Sequence, residues 1–263
     1  MISSDFRTEA RRKLSGKWSK AVFIVLAYMA LTFVIGFIEG LFPESMKEIF
    51  GLVNTIINVP LSFGLVFAFL KLFNGEDVKA FDFATLGFSN FGKSWGVAFQ
   101  MFLKMILPEI AVIVAFVIIM VGGVSMGLMA FSTQSSGASG ASAFSMFMLL
   151  IGVILLVASI IWLITKSYYY QLAILVAIDN PDMSGADAVE ESQRLMTGKR
   201  ASLFCLELSF IGWAILGAIP FGIGLLWVLP YAHLAKIAFY KYALGNTDNV
   251  EVITSDNGTS ENM

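Results

Sequence analysis

Residues 180–210 read NPDMSGADAVEESQRLMTGKRASLFCLELSF, and their order of polar and apolar segments sets the pattern for the whole chain. A short amphipathic segment ends at Gly198, the basic pair Lys199-Arg200 follows, and an apolar run begins at once. This order predicts a helix on the cytosolic side of a membrane that leads directly into a membrane-spanning helix.

Two other segments repeat this order more loosely, SGKWSKAVF at residues 15–23 and FGKSWGVAF at residues 91–99. Each time, a Gly-Lys pair closes a polar stretch and opens an apolar one. The residues that we expect to act as interfacial hinges are Gly16, Lys17, Gly92, Lys93, Gly198 and Lys199. We therefore predict three units, each made of a short amphipathic helix, a Gly-Lys hinge and a transmembrane hairpin.

Composition assigns the chain to the membrane class. Hydrophobic residues make up 57% of the 263 residues and charged residues 14%, whereas ordinary globular domains contain about 25% charged residues. A membrane span needs about 20 mostly apolar residues, and several runs of the sequence are that long. The sequence therefore predicts an all-α integral membrane protein with the lipid bilayer as its surroundings.

Charge and motif content exclude several function classes. The net charge of −2, with basic residues at helix ends, argues against nucleic acid as a partner. Cys205 is the single cysteine, so no internal disulfide can form, and one histidine makes a metal centre improbable. The sequence contains neither HExxH nor CxxC. We expect no enzyme activity, no catalytic residues, no metal and no cofactor.

The predicted organisation is one membrane domain over residues 1–244, followed by a disordered acidic tail over residues 245–263. An interfacial helix at 4–18 and a cytosolic amphipathic helix at 184–197 belong to the domain. The six predicted spans are 21–38, 53–73, 95–131, 143–178, 201–219 and 222–244. The 37 apolar residues at 95–131 would form a straight helix of roughly 55 Å, so we expect a break or kink near Pro108.

Two of the amphipathic segments have clear helical patterns. Phe6, Ala10, Leu14 and Trp18 recur at every fourth residue, which suits a helix in the headgroup region or a solvated charged helix. Ser184 and Asp187 form a capping-box pattern. The apolar stripe of the helix that follows consists of Ala188, Val189, Ser192, Leu195 and Met196. We expect residues 172–178 to pack on this helix.

Basic residues give the orientation. Thirteen of the seventeen Lys and Arg residues lie in the N-terminus, the second and fourth loops and the C-terminal end, and only Lys47 lies on the other side. Because cytosolic loops are enriched in Lys and Arg, we expect both termini in the cytosol.

Segments at both ends of the chain resemble a known family. They are EARRKLSGKWSKAVF at residues 9–23, AIDNPDMSGADAVEESQRLMTGKRASLFCLELSFIGW at 177–213, GIGLLWVLPY at 222–231 and AFYKYAL at 238–244. They resemble the bacterial multi-pass membrane family called domain of unknown function 975. The resemblance covers residues 7–28 and 168–244. It implies a helical membrane fold and a bacterial cytoplasmic-membrane location, but no activity.

Ionisable residues inside the apolar runs are the candidate site. They are Lys104, Glu109, Lys166, Glu207, His233 and Lys236. Glu207 precedes Pro220 by 13 residues and His233 follows it by 13, so a hairpin places both at similar depth. Such residues usually face a bundle interior or a wet cavity. They either line a substrate or proton path, or they snorkel and pair structurally.

Two functions from different classes follow from these patterns. The first is a non-enzymatic envelope scaffold or accessory protein that binds a protein partner through residues 184–200, or that forms a homo-oligomer. The second is a small transporter, or a protein that handles lipids or peptides, using the buried polar layer. Convergence of the ionisable residues between helices, or their spread along exposed ends, discriminates the two.

Overall fold

The computed structural model describes residues 3–131, 139–219 and 222–258, and every regular element in these ranges is an α-helix. The helices are α1 (Ser3–Leu14), α2 (Trp18–Gly40), α3 (Glu44–Asn74), α4 (Asp82–Ser89), α5 (Phe91–Phe131), α6 (Ser139–Tyr170), α7 (Ala173–Asp179), α8 (Gly185–Met196), α9 (Arg200–Ala218) and α10 (Leu225–Gly258). The predicted all-α class is confirmed for this part of the chain.

The helices form two compact units. The first unit comprises Met1–Gln100 and Tyr169–Met263, and the second comprises Met101–Tyr168. The prediction of one membrane domain over residues 1–244 is not tested by this division.

In the part of the chain that the structure describes, five stretches of helix are long and apolar enough to cross a membrane. They are Trp18–Gly40, Glu44–Asn74, Phe91–Leu128, Ala143–Asp179 and Arg200–Ala218. The predicted sixth span, residues 222–244, is not among them, although α10 covers most of it. Within 222–244, the polar residues His233, Lys236 and Lys241 make α10 less apolar than the five helical stretches that qualify.

The structure also changes the bounds at both ends of the chain. The predicted helix at 4–18 ends at Leu14, and α10 continues beyond Leu244 to Gly258, through much of the segment for which we expected disorder. Residues 259–263 of that predicted tail lie outside the described residues.

The core of the first unit lies at one end of its long helices. The buried residues of α3 all fall between Pro60 and Phe73, and those of α2 are Ala21, Ile24 and Val25 near its start. Side chains of α3 before Pro60 are half-buried or exposed. One end of each helix therefore lies in the protein core. The rest of each helix carries exposed or half-buried side chains, which lipid or a partner would cover.

Helix α1 packs on this core. Its predicted stripe residues Phe6, Ala10 and Leu14 are buried, and the Phe6 ring lies 5.4 Å from the rings of both Phe239 and Tyr242. The expectation that this stripe meets lipid headgroups is therefore wrong, because α10 covers it.

Helix α4 approaches α3 at two glycines. A Cβ atom built on Gly64 would lie 1.9 Å from the carbonyl oxygen of Phe83, and one on Gly87 would lie 2.1 Å from that of Pro60. Only glycine allows the two backbones to come this close. The second amphipathic segment is thus fixed to the side of α3.

Helix α5 is continuous through Pro108, which lies inside one helix of 41 residues. Of the two predicted alternatives, this excludes the break and leaves the kink as a prediction. Gly92 lies in the first turn of α5 and is not a hinge, whereas Gly16 and Gly198 both have a φ of 76° in turns that separate two helices. Left-handed φ values of this kind favour glycine.

The second unit consists of parts of α5 and α6 packed through small residues. A Cβ on Gly152 would lie 2.7 Å from Cγ1 of Ile119, and one on Gly122 would lie 3.1 Å from the Leu149 side chain. The hydroxyls of Ser125 and Ser145 are hydrogen-bonded at 2.8 Å. Small residues allow this close approach, as is common between membrane helices.

The predicted span at 143–178 agrees with the candidate span Ala143–Asp179, but its helix is interrupted near its end. Helix α6 ends at Tyr170 and α7 begins at Ala173. At the break, the backbone N–H of Leu172 donates to Oγ of Ser192 at 3.2 Å, and this hydroxyl donates to the carbonyl oxygen of Tyr169 at 2.8 Å. Ser192 belongs to α8 and is fully buried. Its hydroxyl therefore satisfies two backbone groups where the helix is interrupted.

Helix α8 follows its predicted pattern closely. Oγ of Ser184 accepts a hydrogen bond from the backbone N–H of Asp187 at 3.2 Å, as an N-cap residue does. All five predicted stripe residues are buried, and α8 packs on α7, as expected for residues 172–178. The apolar face of α8 is therefore covered by protein.

We predict that Ser192→Ala destabilises the protein, because it leaves the Leu172 N–H and the Tyr169 carbonyl without this partner. Loss of a buried partner costs about 1–3 kcal/mol. Thermal unfolding in detergent measures the change. Ser209→Ala is the control, since Oγ of Ser209 donates to Leu206 O of its own helix at 2.6 Å. Equal melting temperatures for both variants would contradict the role of Ser192.

Candidate functional site

Helices α9 and α10 bring three of the six candidate residues together in the first unit. Glu207 lies on α9, while His233 and Lys236 lie on α10. Residues three apart on a helix share a face, so His233 and Lys236 point to the same region. Glu207 and His233 also line one cavity.

Lys236 is the centre of the cluster. Its Nζ donates a hydrogen bond to Oε1 of Gln171 and lies 3.8 Å from Oε1 of Glu207. The Lys236 and Glu207 side chains are 28% and 36% exposed. The cation is therefore held between a carboxylate and an amide oxygen, the arrangement that a partly buried charge needs.

His233 and two small cavities complete the site. The His233 ring is stacked on Phe69, with centroids 5.0 Å apart and planes at 12°. A cavity of about 170 Å³ is lined by Glu207, His233 and Lys236 among apolar residues, and one of about 100 Å³ includes Gln171. Ligand pockets usually measure about 300–1,000 Å³, so these cavities suit water or a small ion.

The other three candidates lie in the second unit. Lys104 and Glu109 are exposed on α5, and Lys166 on α6 is half-buried. Glu207, His233 and Lys236 thus belong to the first unit, and Lys104, Glu109 and Lys166 belong to the second. Within the described residues, no group of three or more His, Cys, Asp or Glu side chains could hold a metal ion.

The three lysines of the Gly-Lys pairs act alike. Nζ of Lys17 donates to Leu72 O at 3.4 Å, and that of Lys199 to Ala243 O at 2.9 Å. Nζ of Lys93 donates to the carbonyl oxygens of Asn180 and Pro181 at 2.6 and 2.7 Å. Each lysine thus ties the start of a long helix to backbone carbonyls distant in sequence.

Lys199 lies in a less polar environment than a surface lysine. Burial lowers the pKa of Lys199, and the positive charge of Arg194 lowers it further. Both effects disfavour the charged form. The bond to Ala243 O is therefore part of what holds the lysine in place.

Comparison with known protein families identifies the family of this chain. Residues 1–246 match the family described as "Protein of unknown function (DUF975)". The chain belongs to this family. The match also covers the middle of the chain, where the sequence resemblance was not apparent. No curated protein and no solved structure matches the chain. The family therefore provides no activity that could be assigned to this chain.

Two motif-like spacings in this DUF975 chain escaped the sequence analysis. Residues 87–94, GFSNFGKS, have Walker A spacing, but a P-loop follows a strand and cradles phosphate. Here Gly87 packs inside α4, only Asn90 separates α4 from α5, and Lys93 binds carbonyl oxygens. This segment is therefore not a phosphate-binding loop.

The second spacing is GVSMG at residues 123–127, which matches the nucleophile elbow of hydrolases. That elbow requires a sharp turn between a strand and a helix. Ser125 instead lies within α5, and its hydroxyl donates to Gly122 O at 2.9 Å. Its geometry is that of a helix-packing serine.

Sequence reasoning also missed polar residues that the structure places in contact. Gln171 and Phe69 join the Lys236 cluster. Asn54 and Asn58 on α3 are hydrogen-bonded to each other and line a groove beside Tyr28. The available signal was the pair of amide side chains at i and i+4 within an apolar run, a spacing that puts them on one helix face.

We predict that Lys236→Met destabilises this DUF975 protein, because Gln171 and Glu207 lose their cationic partner in a half-buried site. The loss is about 1–3 kcal/mol. Glu207→Gln combined with Lys236→Met should cost less than the sum of the single changes, since the residues are coupled.

Thermal unfolding in detergent at neutral pH measures these effects. Glu109→Gln is the comparison, because this side chain is exposed on α5, and exposed changes stay within about 0.5 kcal/mol. Additive single and double changes would contradict the coupling between Glu207 and Lys236.

Proposed function

We propose that the protein is a multi-pass protein of the bacterial cytoplasmic membrane that acts as a non-enzymatic envelope scaffold or accessory protein. Its polypeptide crosses the membrane six times as three hairpins, with both termini in the cytosol, and a protein partner binds residues 184–200. The distribution of thirteen basic residues on one side against Lys47 on the other supports this orientation.

The observation that carries this proposal is that the polar side chains around Lys236 are bonded to one another. Lys236 is bound to Gln171 and faces Glu207, and the adjoining cavities measure about 170 and 100 Å³. A transport path needs polar groups that line a continuous space. Residues that satisfy one another beside small cavities favour a structural role.

The surface of α8 supports binding to a partner. Its apolar stripe is buried against the core, while Asp187, Glu190 and Gln193 are exposed on its other face. The helix is capped by Ser184 and anchored by Ser192. It therefore offers a fixed polar surface that needs little ordering on binding, which lowers the cost of association.

We predict that the protein leaves its membrane in a stoichiometric complex with another protein, or with a second copy of itself, through α8. Native mass spectrometry after gentle extraction measures this. The variant Glu190→Lys with Gln193→Lys should lose the complex, because it reverses the charge of the exposed face. Glu207→Gln should keep it.

Two results would overturn the scaffold proposal. One is a bound small molecule that Glu207→Gln removes, which supports the transport or lipid-handling function instead. The other is a bare monomer under conditions that preserve other membrane complexes.

We predict the sidedness from the same charges. In a Cys205→Ser background, a membrane-impermeant maleimide applied to intact spheroplasts should label Lys47→Cys but not Ser4→Cys. Lysis should expose the second position as well. Labelling of Ser4→Cys before lysis would reverse the proposed orientation.

A further inference from the structure

A polar groove lies between α2 and α3, in helices that are apolar enough to cross a membrane. Its volume is about 330 Å³, and its lining residues are Tyr28, Asn54, Thr55, Asn58, Val59 and Ser62. All but one of them are polar. The volume falls in the range of ligand sites, about 300–1,000 Å³, and the groove is larger than the cavities around Lys236.

The groove begins where the protein core ends. The buried part of α3 starts at Pro60, and Asn58 and Asn54 lie two and six residues before it. Tyr28 follows the last buried residue of α2, Val25, by one turn, and its ring contacts Phe83 of α4 at 5.6 Å. Lipid chains cannot donate hydrogen bonds, so acceptors of this surface that the protein leaves open favour a polar occupant.

A chain of hydrogen bonds fixes the direction of the amides. Oε2 of Glu39 accepts from Nδ2 of Asn54 at 2.5 Å, and Oδ1 of Asn54 accepts from Nδ2 of Asn58. Because an ionised carboxylate can only accept, Asn54 must turn its NH₂ group to Glu39. Its oxygen then faces the NH₂ group of Asn58, which leaves the Asn58 oxygen as the end of the chain.

The hydroxyls of the groove use their protons in the same way. Oγ1 of Thr55 donates to Gly51 O at 2.9 Å, and Oγ of Ser62 donates to Val59 O at 2.9 Å. Their lone pairs remain for a ligand, as does the hydroxyl of Tyr28, which can donate or accept. The groove therefore presents more acceptor positions than donor positions.

We propose that this groove binds a protonated primary amine, with the ammonium N–H groups donating to Oδ1 of Asn58 and to the hydroxyl oxygens of the groove. An ammonium group has three donors and no acceptor, which complements this lining. Divalent cations prefer several carboxylate ligands, and none of the lining residues has a carboxylate.

The amine can belong to a water-soluble molecule or to an aminophospholipid headgroup, and the binding chemistry is the same. This role goes beyond the scaffold function and does not depend on α8.

The first test uses the full chain in nanodiscs of phosphatidylcholine. Ethylammonium chloride should raise the melting temperature more than tetramethylammonium chloride at equal ionic strength, because only the former has N–H donors. Asn58→Leu should reduce the apparent affinity for ethylammonium by about tenfold, and Asn58→Asp should increase it. Thr32→Val is the control, since Thr32 lies outside the groove lining and its hydroxyl bonds to Tyr28 O of its own helix.

The second test identifies a lipid source. In nanodiscs that contain equal amounts of phosphatidylethanolamine and phosphatidylcholine, native mass spectrometry should find the former retained on the wild type and lost from Asn58→Leu. Selectivity in either test that depends on Asn58 supports the proposal and names the source. Equal responses to the paired amines and lipids, or selectivity that survives Asn58→Leu, overturn it. The test of the α8 complex is independent of these results, because Asn58 lies on α3 and not on α8.

Discussion

The Ser192 hydroxyl lies between the Leu172 N–H and the Tyr169 carbonyl, in the short break between α6 and α7. Backbone groups away from water must be paired, and no proline or glycine occurs in YYYQLAI to explain the break. The hydroxyl of this one serine pairs with both backbone groups and thereby stabilises the interruption. Gln171 lies in this break, and its amide oxygen receives the hydrogen bond of Lys236. The position of the charged cluster therefore depends on a buried contact between α8 and the chain before α7.

A second constraint is that charges near apolar helices need partners close at hand. The lysines of the Gly-Lys pairs bind carbonyl oxygens, Lys20 pairs with Asp77, and Lys241 pairs with Asp179 at 2.7 Å. The exposed pairs among these contribute little energy. Their effect is to fix which helix ends lie together. Glycine contacts such as that of Gly64 with the Phe83 carbonyl then set the distance between helices.

The features that the sequence predicted well are those determined locally. The stripe and cap of α8, and the turns at Gly16 and Gly198, follow from spacing and from the φ values that glycine allows. Gly92 has the same Gly-Lys context, but α4 and α5 are separated by one residue and need no left-handed turn. The break at Gln171 depends on a serine 20 residues away from Leu172, which no local pattern reveals. Counting residues from Pro220 placed Glu207 and His233 near each other. No such count along the sequence could show that Lys104 and Lys166 belong to a different unit.

A polar side chain in a membrane helix can pair within the protein, reach water or hold a ligand. Lys236 and Glu207 follow the first course, because each has a partner and the space beside them is small. Glu109 is exposed on a long helix whose ends can reach the headgroups. Asn58 differs from both, because its amide hydrogen is committed to Asn54 while its oxygen borders a larger groove. Burial and charge alone would rank Lys236 first as a functional residue. The direction of the hydrogen bonds ranks Asn58 first, since a site must keep some of its bonding capacity for the molecule that it binds.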